Sequence, residues 1–235
     1  MTIAQAGIKP RILVIAAHPD DEILGCGATL ARYIRRGIEA HGFILGKGKS
    51  SRFANPGNSA ETIQKEQDIL LEEAHKAASI IGISRLSFAD FPDQRYDSVP
   101  FLEIVQRIED MVEQVKPSIV FTHYRRDLNL DHRITLKAVL TAVRPLPEQS
   151  VRHIYSFEVP SSTEWNVPLS FSPNVFIDVK ETFDQKLAAL QAYESEMREY
   201  PHPRSMRAIE IIARRWGTIV GKELVEAFEL VREIK

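Results

Sequence analysis

The chain has a single cysteine, Cys26, so it has no partner for an intramolecular disulfide. The fold must therefore depend on a packed core, as is usual in a reducing compartment, and we expect a cytoplasmic protein. Long apolar runs are absent as well: none approaches the roughly 18 residues that cross a membrane. Residues 1–10 do not have the pattern of a secretory signal. We therefore expect no membrane span.

Neither sign of charge is in large excess. The 30 Lys and Arg residues and the 32 Asp and Glu residues give a formal net charge of −2. Because the basic residues are dispersed, we expect no nucleic-acid partner, and a small molecule is the expected substrate. Repeats, low-complexity tracts and linker-like shifts in composition are also missing, so the sequence predicts a single domain over residues 1–235.

Short apolar runs alternate with helical patterns along the chain. Residues 11–17, RILVIAA, are rich in β-branched residues, which is typical of a strand buried on both faces of a parallel sheet. A helical pattern follows from Glu22 to about Gly37, and such pairs continue to a helix around 206–216. This alternation predicts a Rossmann-like, doubly wound α/β fold with a mostly parallel sheet and helices on both faces.

Two polar clusters directly follow two of the predicted strands. HPDDE, residues 18–22, follows the first strand, and HYRRDLNLDHR, residues 123–133, follows the fourth. Ligands of open α/β sheets bind at the carboxyl ends of the strands, where the strand order reverses. In a sheet ordered 3-2-1-4-5, strands one and four are neighbours at that point, so we expect the two clusters to meet.

Crowded carboxylates raise one another's pKa unless a positive charge lies among them, and a divalent cation is the strongest candidate. Imidazole and carboxylate without thiolate suit Zn²⁺, and other divalent metals also accept such ligands. Three protein ligands would leave a position for water, from which a remaining carboxylate could take a proton. The predicted chemistry is hydrolysis, and the spacing alone does not distinguish the roles of Asp20 and Asp21.

AAHPDDEILGCGATLARY, residues 16–33, together with THYRRDLNLDH, residues 122–132, resembles the PIG-L/LmbE-like N-deacetylases. The resemblance extends over most of the chain through EEAHKAASIIGI (72–83), KLAALQAYESEM (186–197) and GKELVEAFE (221–229). It implies a zinc-dependent hydrolase that removes the N-acetyl group from an N-acetylglucosamine-containing small molecule or glycoconjugate. It also implies that His18, Asp21 and His132 hold the metal, that Asp20 is the general base for the water, and that a homo-oligomer can form.

The chain departs from the family pattern at two places. Many members have a histidine three residues before the last metal ligand, where it polarises the amide carbonyl or stabilises the oxyanion. This chain has Asn129 there, which can donate a hydrogen bond but carries no charge, and His123 is the alternative for this role. Many members also have a sugar-binding arginine where residues 63–71 contain none. Arg52 and Asp93 are the predicted substitutes for that substrate contact.

Other functions remain open at this point. The same metal site could cleave another N-acylated amine or a thiol conjugate, or the chain could be a binding module without catalysis. Gly25 and Gly27 invite a dinucleotide-binding interpretation, but Leu30 replaces the third glycine and the preceding acids would repel a pyrophosphate. We interpret these glycines as packing residues between helix and sheet. We interpret Glu22 as an acid at the helix start, where the helix dipole favours one.

Two loops are candidates for substrate contact. Residues 47–60 gather Gly, Ser, Asn and Pro over a length that is typical of a functional lid as well as of a mobile insertion. Trp165 and Phe171 lie in a later loop, and an aromatic rim of this kind suits a sugar ring as well as a subunit contact. The sequence does not decide between these alternatives.

Overall fold

The computed structural model describes residues 10–48 and 60–235. In chain order, their helices and strands are β1 (Arg11–Ala16), α1 (Asp21–Arg35), β2 (Glu39–Gly46), α2 (Ala60–Ile81), β3 (Arg85–Phe91), α3 (Phe101–Val115), β4 (Ile119–His123), α4 (Leu130–Ala142), β5 (His153–Phe157), β6 (Val175–Asp178), α5 (Phe183–Ala192), α6 (Met206–Val220) and β7 (Val225–Glu233). Two single 3-10 turns, Tyr96–Ser98 and Thr163–Trp165, lie in the loops before α3 and β6.

The strands of the described residues form one seven-stranded sheet in the order β3-β2-β1-β4-β5-β7-β6. The first five of these strands pair in parallel, and β7 is antiparallel to both β5 and β6. The predicted mostly parallel α/β fold and the predicted neighbourhood of strands one and four are confirmed. Because the sheet includes both the first and the last described strand, we propose that the chain is one domain.

Both faces of the central strands are buried, as their uninterrupted apolar sequence predicts. Ile12 and Val14 of β1 pack in a core with side chains of α1, α2 and α5. Leu13 and Ile15 point the other way and pack with side chains of α3 and α4. Successive side chains of a strand alternate between the two faces, so a strand covered by helices on both sides has no polar positions.

Helix α1 begins at Asp21, the last residue of the HPDD sequence. The Glu22 carboxylate accepts a hydrogen bond from the backbone N–H of Asp20 at 3.1 Å and another from the Tyr193 hydroxyl at 2.6 Å. An acid in the first turn is favoured there by the unpaired N–H groups and by the helix dipole. Our interpretation of Glu22 as an acid at the helix start is confirmed.

The same helix is broken in its middle. Cys26 has φ −148° and ψ 17°, outside the helical range, so the N–H groups that follow need acceptors from elsewhere. Glu226 of β7 supplies them, because its carboxylate accepts from the N–H of Ala28 at 3.2 Å and from that of Thr29 at 2.7 Å. Lys186 of α5 lies 2.6 Å from this buried carboxylate and neutralises it.

Gly25 allows α1 to lie against β5. A methyl group at this position would lie 2.2 Å from Cδ2 of the buried Phe157 ring, well inside van der Waals contact. At Gly27 the nearest atom would be Cγ2 of Ile23, at 3.0 Å. The interpretation of Gly25 as a packing residue between helix and sheet is therefore confirmed.

We expect Gly25→Ala to lower the free energy of unfolding by about 1–3 kcal/mol, because the Phe157 ring has no room to move without disturbing the core. Urea denaturation measures this loss. Gly27→Ala is the matched control in the same helix and should lose clearly less. Equal losses in the two variants would contradict our explanation that Gly25 is needed because α1 lies close to β5.

Candidate metal centre and active-site cleft

The two polar clusters meet at the carboxyl edge of the sheet. HPDD leads from β1 into α1, residues 124–129 lead from β4 into α4, and β1 and β4 are paired neighbours. His18 Nδ1 lies 3.3 Å from His132 Nε2, although the two residues are 114 positions apart in the chain. The expected meeting of the two clusters therefore occurs.

Three donor atoms form a nearly equilateral triangle. His18 Nδ1 lies 3.4 Å from Asp21 Oδ2, and His132 Nε2 lies 3.3 Å from each of these atoms. A tetrahedron with metal–ligand distances of about 2.0–2.1 Å has edges of about 3.3–3.4 Å. The other carboxylate oxygen of Asp21 is buried and has no hydrogen-bond partner within the described part of the chain. The donor set fits a divalent metal ion.

The outer nitrogen of each histidine faces a second carboxylate. His18 Nε2 lies 3.0 Å from Asp131 Oδ2, and His132 Nδ1 lies 3.1 Å from Asp127 Oδ1. Carboxylates in this position fix the tautomer and orientation of a histidine so that its inner nitrogen points to the metal. The sequence prediction did not include Asp127 and Asp131, although both lie in the DLNLDH segment beside His132. Their proximity to a ligand in the sequence was the available signal.

The centre has an excess of negative charge. Burial lowers the pKa of His18, but hydrogen bonds to Asp131 and Asp21 and nearby carboxylate charge raise it overall to about 10. The same balance between burial and Asp21 and Asp127 raises the pKa of His132 to about 9. The pKa of Asp21 lies well below its ordinary value because the histidines outweigh the effect of its burial. Crowded acids are tolerated here because positive charge lies among them, as imidazolium or as a bound cation.

Asp20 occupies a strained backbone position beside the metal donors. Its φ of 97° and ψ of −30° lie in a region that costs a non-glycine residue about 1–3 kcal/mol. The side chain is buried and lines a cleft with about 520 Å³ of empty space. Burial and the neighbouring acid Asp21 raise its pKa well above the ordinary value, against the opposing effect of Arg204. Strain and a perturbed carboxylate in a cleft are both typical of a functional site.

Arg204 is a cleft residue that the sequence pattern did not indicate. It lies in the loop between α5 and α6, and its Nη1 is 2.6 Å from Asp20 Oδ2 and 3.1 Å from Glu196 Oε2. Its Nε donates to the Ser161 hydroxyl at 2.8 Å. Nothing in the local sequence YPHPRS distinguishes this arginine from the chain's other arginines, because its partners come from distant segments.

The remaining predicted site residues differ in where they lie. Asp93 and Asn129 line the cleft with His18 and His132. Asn129 Oδ1 accepts from the N–H of Asp131 at 2.9 Å and caps α4, which leaves the amide NH₂ as its donor. His123 is fully buried and is not among the cleft-lining residues; its Nε2 accepts from the N–H of Ala17 at 2.8 Å. Burial and the charge of His132 lower its pKa well below the ordinary value. Arg52 lies outside the described residues.

An open α/β sheet with histidine and carboxylate donors at its reversal point, beside a buried acid, has the arrangement of a metal-dependent hydrolase. The model of the PIG-L family, described as GlcNAc-PI de-N-acetylase, matches residues 13–143. The chain is also 32% identical over 199 residues to the uncharacterized deacetylase YaiS of Escherichia coli strain K12, covering 82% of this chain and 95% of YaiS. The chain belongs to the PIG-L family.

A second relative agrees with this assignment, and a solved structure shares the fold. The chain is 29% identical over 193 residues to the probable N-acetyl-alpha-D-glucosaminyl L-malate deacetylase 2 of Bacillus cereus, covering 80% of this chain and 84% of that protein. GalB, the 4-carboxy-2-hydroxymuconate hydratase of Pseudomonas putida KT2440, shares the fold with a TM-score of 0.77 and 23% identity, over 96% of this chain and 98% of GalB. The predicted family and the predicted class of N-deacetylase are confirmed.

Within residues 10–48 and 60–235, no helix is both long enough and apolar enough to cross a bilayer.

We expect His132→Ala to lose metal, because only two of the three corners of the donor triangle remain. Elemental analysis should find about one metal ion per wild-type chain and much less in the variant. His41→Ala is the control, because His41 lies on β2 and contacts Glu39 rather than the metal donors. If His132→Ala retained the wild-type metal content, this donor set would be wrong.

Proposed function

We propose that the chain removes the N-acetyl group from a small molecule or glycoconjugate that contains N-acetylglucosamine. The observation that carries the proposal is the donor triangle of His18, Asp21 and His132 with the buried carboxylate of Asp20 beside it in one cleft. Both relatives described above are named as deacetylases, and this supports the carbon–nitrogen bond of an acetamide as the bond that is cleaved.

Zn²⁺ is the metal that we propose for this site. Two imidazole nitrogens and one carboxylate oxygen, without thiolate, are a common donor set for catalytic zinc, and their spacing matches tetrahedral geometry. A metal of this kind, when bound, polarises a carbonyl and makes water more acidic. Metal content measured after growth without added zinc tests the identity of the ion separately from its presence.

Asp20 is the residue that we assign as the general base. Arg204 holds its Oδ2 at 2.6 Å, which leaves Oδ1 to accept a proton from the attacking water. Burial raises the pKa of Asp20 above its ordinary value, which makes its carboxylate a stronger base. The water oxygen then forms the new bond to the acetyl carbon. As the carbon–nitrogen bond breaks, Asp20 returns the proton to the leaving nitrogen, giving acetate and a free amine.

The contacts favour Asn129 over His123 as the donor to the developing oxyanion. Asn129 lies in the cleft wall with its Oδ1 engaged, so its NH₂ group is free to face a substrate oxygen. His123 Nε2 is engaged with a backbone N–H, and the ring is fully buried. Asp93 Oδ1 lies 3.4 Å from His18 Nε2, the ring nitrogen that is not part of the donor triangle. We propose Asp93 as an acceptor for a sugar hydroxyl. Arg52 stays a predicted substrate contact, and the cytoplasmic location and the homo-oligomer stay predictions.

The charge of the cleft argues against a substrate with several carboxylates at the part that reacts, such as the name of GalB describes. Asp20, Asp93 and Glu196 all line the cleft, and within the described residues the only guanidinium in its wall is Arg204, already paired with two of them. A neutral acetamido sugar meets no such repulsion. Another N-acylated amine or a thiol conjugate remains the alternative, and acetate release from a panel of N-acetylated sugars and amines distinguishes these substrates.

We expect Asp20→Asn to lower the rate of acetate release by at least about a hundredfold, because the amide cannot accept the proton. Metal content should stay at the wild-type level, since Asp20 is not in the donor triangle. Asp97→Asn, which alters an exposed carboxylate, is the control. Turnover of Asp20→Asn at the wild-type rate would contradict the base assignment, and no acetate from any N-acetylated compound with wild-type enzyme would contradict the deacetylase itself.

Arg204→Met should lower the free energy of unfolding by about 3 kcal/mol, because it leaves two buried carboxylates without their cation. The double variant Asp20→Asn/Arg204→Met should lose less than the sum of the two single losses, since the two side chains form one pair. Urea denaturation of the three variants measures this coupling. Simple additivity would mean that the 2.6 Å contact contributes nothing to stability.

A further inference from the structure

A half-exposed tryptophan lies in a loop whose first residues line the cleft. The side chain of Trp165 is 50% exposed, whereas Trp216, the other tryptophan of the sequence, is 6% exposed. Trp165 ends the 3-10 turn that directly follows Ser161 and Ser162, and both serines line the cleft. An indole has a large apolar face, so its exposure beside a substrate cleft leaves a contact surface for a ligand.

The turn that includes Trp165 is fixed to the metal centre. The hydroxyls of Ser162 and Thr163 both donate to the carboxylate of Asp127, the Thr163 bond at 2.5 Å. Asp127 also faces the outer nitrogen of His132 at 3.1 Å. The carboxylate that orients a metal ligand therefore also anchors the turn before Trp165. A platform held in this way loses little conformational entropy when a ligand binds.

The indole ring is oriented by a histidine. Trp165 and His202 make an edge-to-face contact, with ring centroids 5.9 Å apart and an interplanar angle of 85°. His202 Nδ1 accepts from the backbone N–H of Arg204 at 3.1 Å, so in the neutral ring Nε2 carries the proton. Arg204 itself lines the cleft. The result is an aromatic face with hydrogen-bond donors at its edge.

From these contacts we propose that Trp165 is the platform for a second sugar ring, one that is linked to the N-acetylglucosamine residue in the cleft. The role depends on the proposed function. A pyranose has an apolar face of C–H groups and hydroxyls at its rim, which match an indole face with polar neighbours. An acyl chain would offer no hydrogen-bond acceptor to the Nε2–H group of His202, the ring that contacts the indole. The substrate class is therefore a glycoside or oligosaccharide rather than free N-acetylglucosamine.

The test compares deacetylation of N-acetylglucosamine and of N,N'-diacetylchitobiose by wild type, Trp165→Ala, Trp165→Phe and Val167→Ala. We expect the ratio of kcat/KM for the disaccharide to that for the monosaccharide to fall about tenfold in Trp165→Ala, mainly through KM. This corresponds to about 1.4 kcal/mol. Trp165→Phe should recover part of the ratio because it keeps an aromatic face. Val167→Ala, an 82% exposed position in the same loop, should keep the wild-type ratio.

Binding without turnover is measured separately by tryptophan fluorescence in the Asp20→Asn background. The disaccharide should change the emission at lower concentration than the monosaccharide does, and Trp165→Phe should remove the change. This measurement tests whether Trp165 binds the second sugar ring even if neither sugar is deacetylated. Absence of deacetylation would contradict the proposed function and not the role of Trp165.

Three results would overturn the platform. The first is an unchanged disaccharide-to-monosaccharide ratio together with no fluorescence change. The second is an equal loss for both sugars, which would place Trp165 on the first ring or in the structure of the turn. The third is an unchanged ratio with a lower molar mass of Trp165→Ala in light scattering, which would make the indole a subunit contact.

Discussion

Buried negative charge at the carboxyl edge of the sheet is the constraint on which the rest of the site depends. Asp20, Asp21, Asp127 and Asp131 are all almost completely buried, and each is held by a partner from a different segment. Asp131 accepts from the N–H of Tyr96 at 3.1 Å, and Asp127 accepts from two hydroxyls of the turn before β6. Because each carboxylate needs a donor or a cation, these loops are drawn to one point. The loops are fixed by the charges as much as by the core beneath them.

The local parts of this arrangement could be predicted from the sequence. RILVIAA predicts a buried strand through its β-branched residues, and the polar clusters after the first and fourth strands together predict a metal site. The choice of His18, Asp21 and His132 as its ligands came from the family resemblance. The fold and the place of the site follow from strand order alone. Asn129 and Asp93 line the cleft, and donor atoms of His18, Asp21 and His132 lie close enough together to hold a metal ion; their role as its ligands stays a proposal.

The parts that could not be predicted depend on contacts between distant segments. Arg204 reaches Asp20 across 184 positions, and Glu226 reaches Ala28 across 198. Judged only by their neighbours in the sequence, Arg204 and Glu226 are indistinguishable from charged residues on the protein surface. His123 shows a related limit: its place at the end of β4 puts it near the centre, but only the side-chain contacts show that its Nε2 is engaged by the backbone of Ala17. The antiparallel pairing of β7 with β5 and β6 likewise has no signature in the alternation of strands and helices.

The break in α1 at Cys26 affects the order in which parts of the chain can fold during synthesis. His18, Asp21 and His132 have all left the ribosome long before Glu226, the residue that caps the second half of α1. At about 5–20 residues per second, synthesis takes roughly 5–20 s to proceed from His132 to Glu226. During that interval the nascent chain already contains the three proposed metal donors, while the second half of α1 still lacks its cap. Completion of the N-terminal motif therefore waits for the last strand of the sheet.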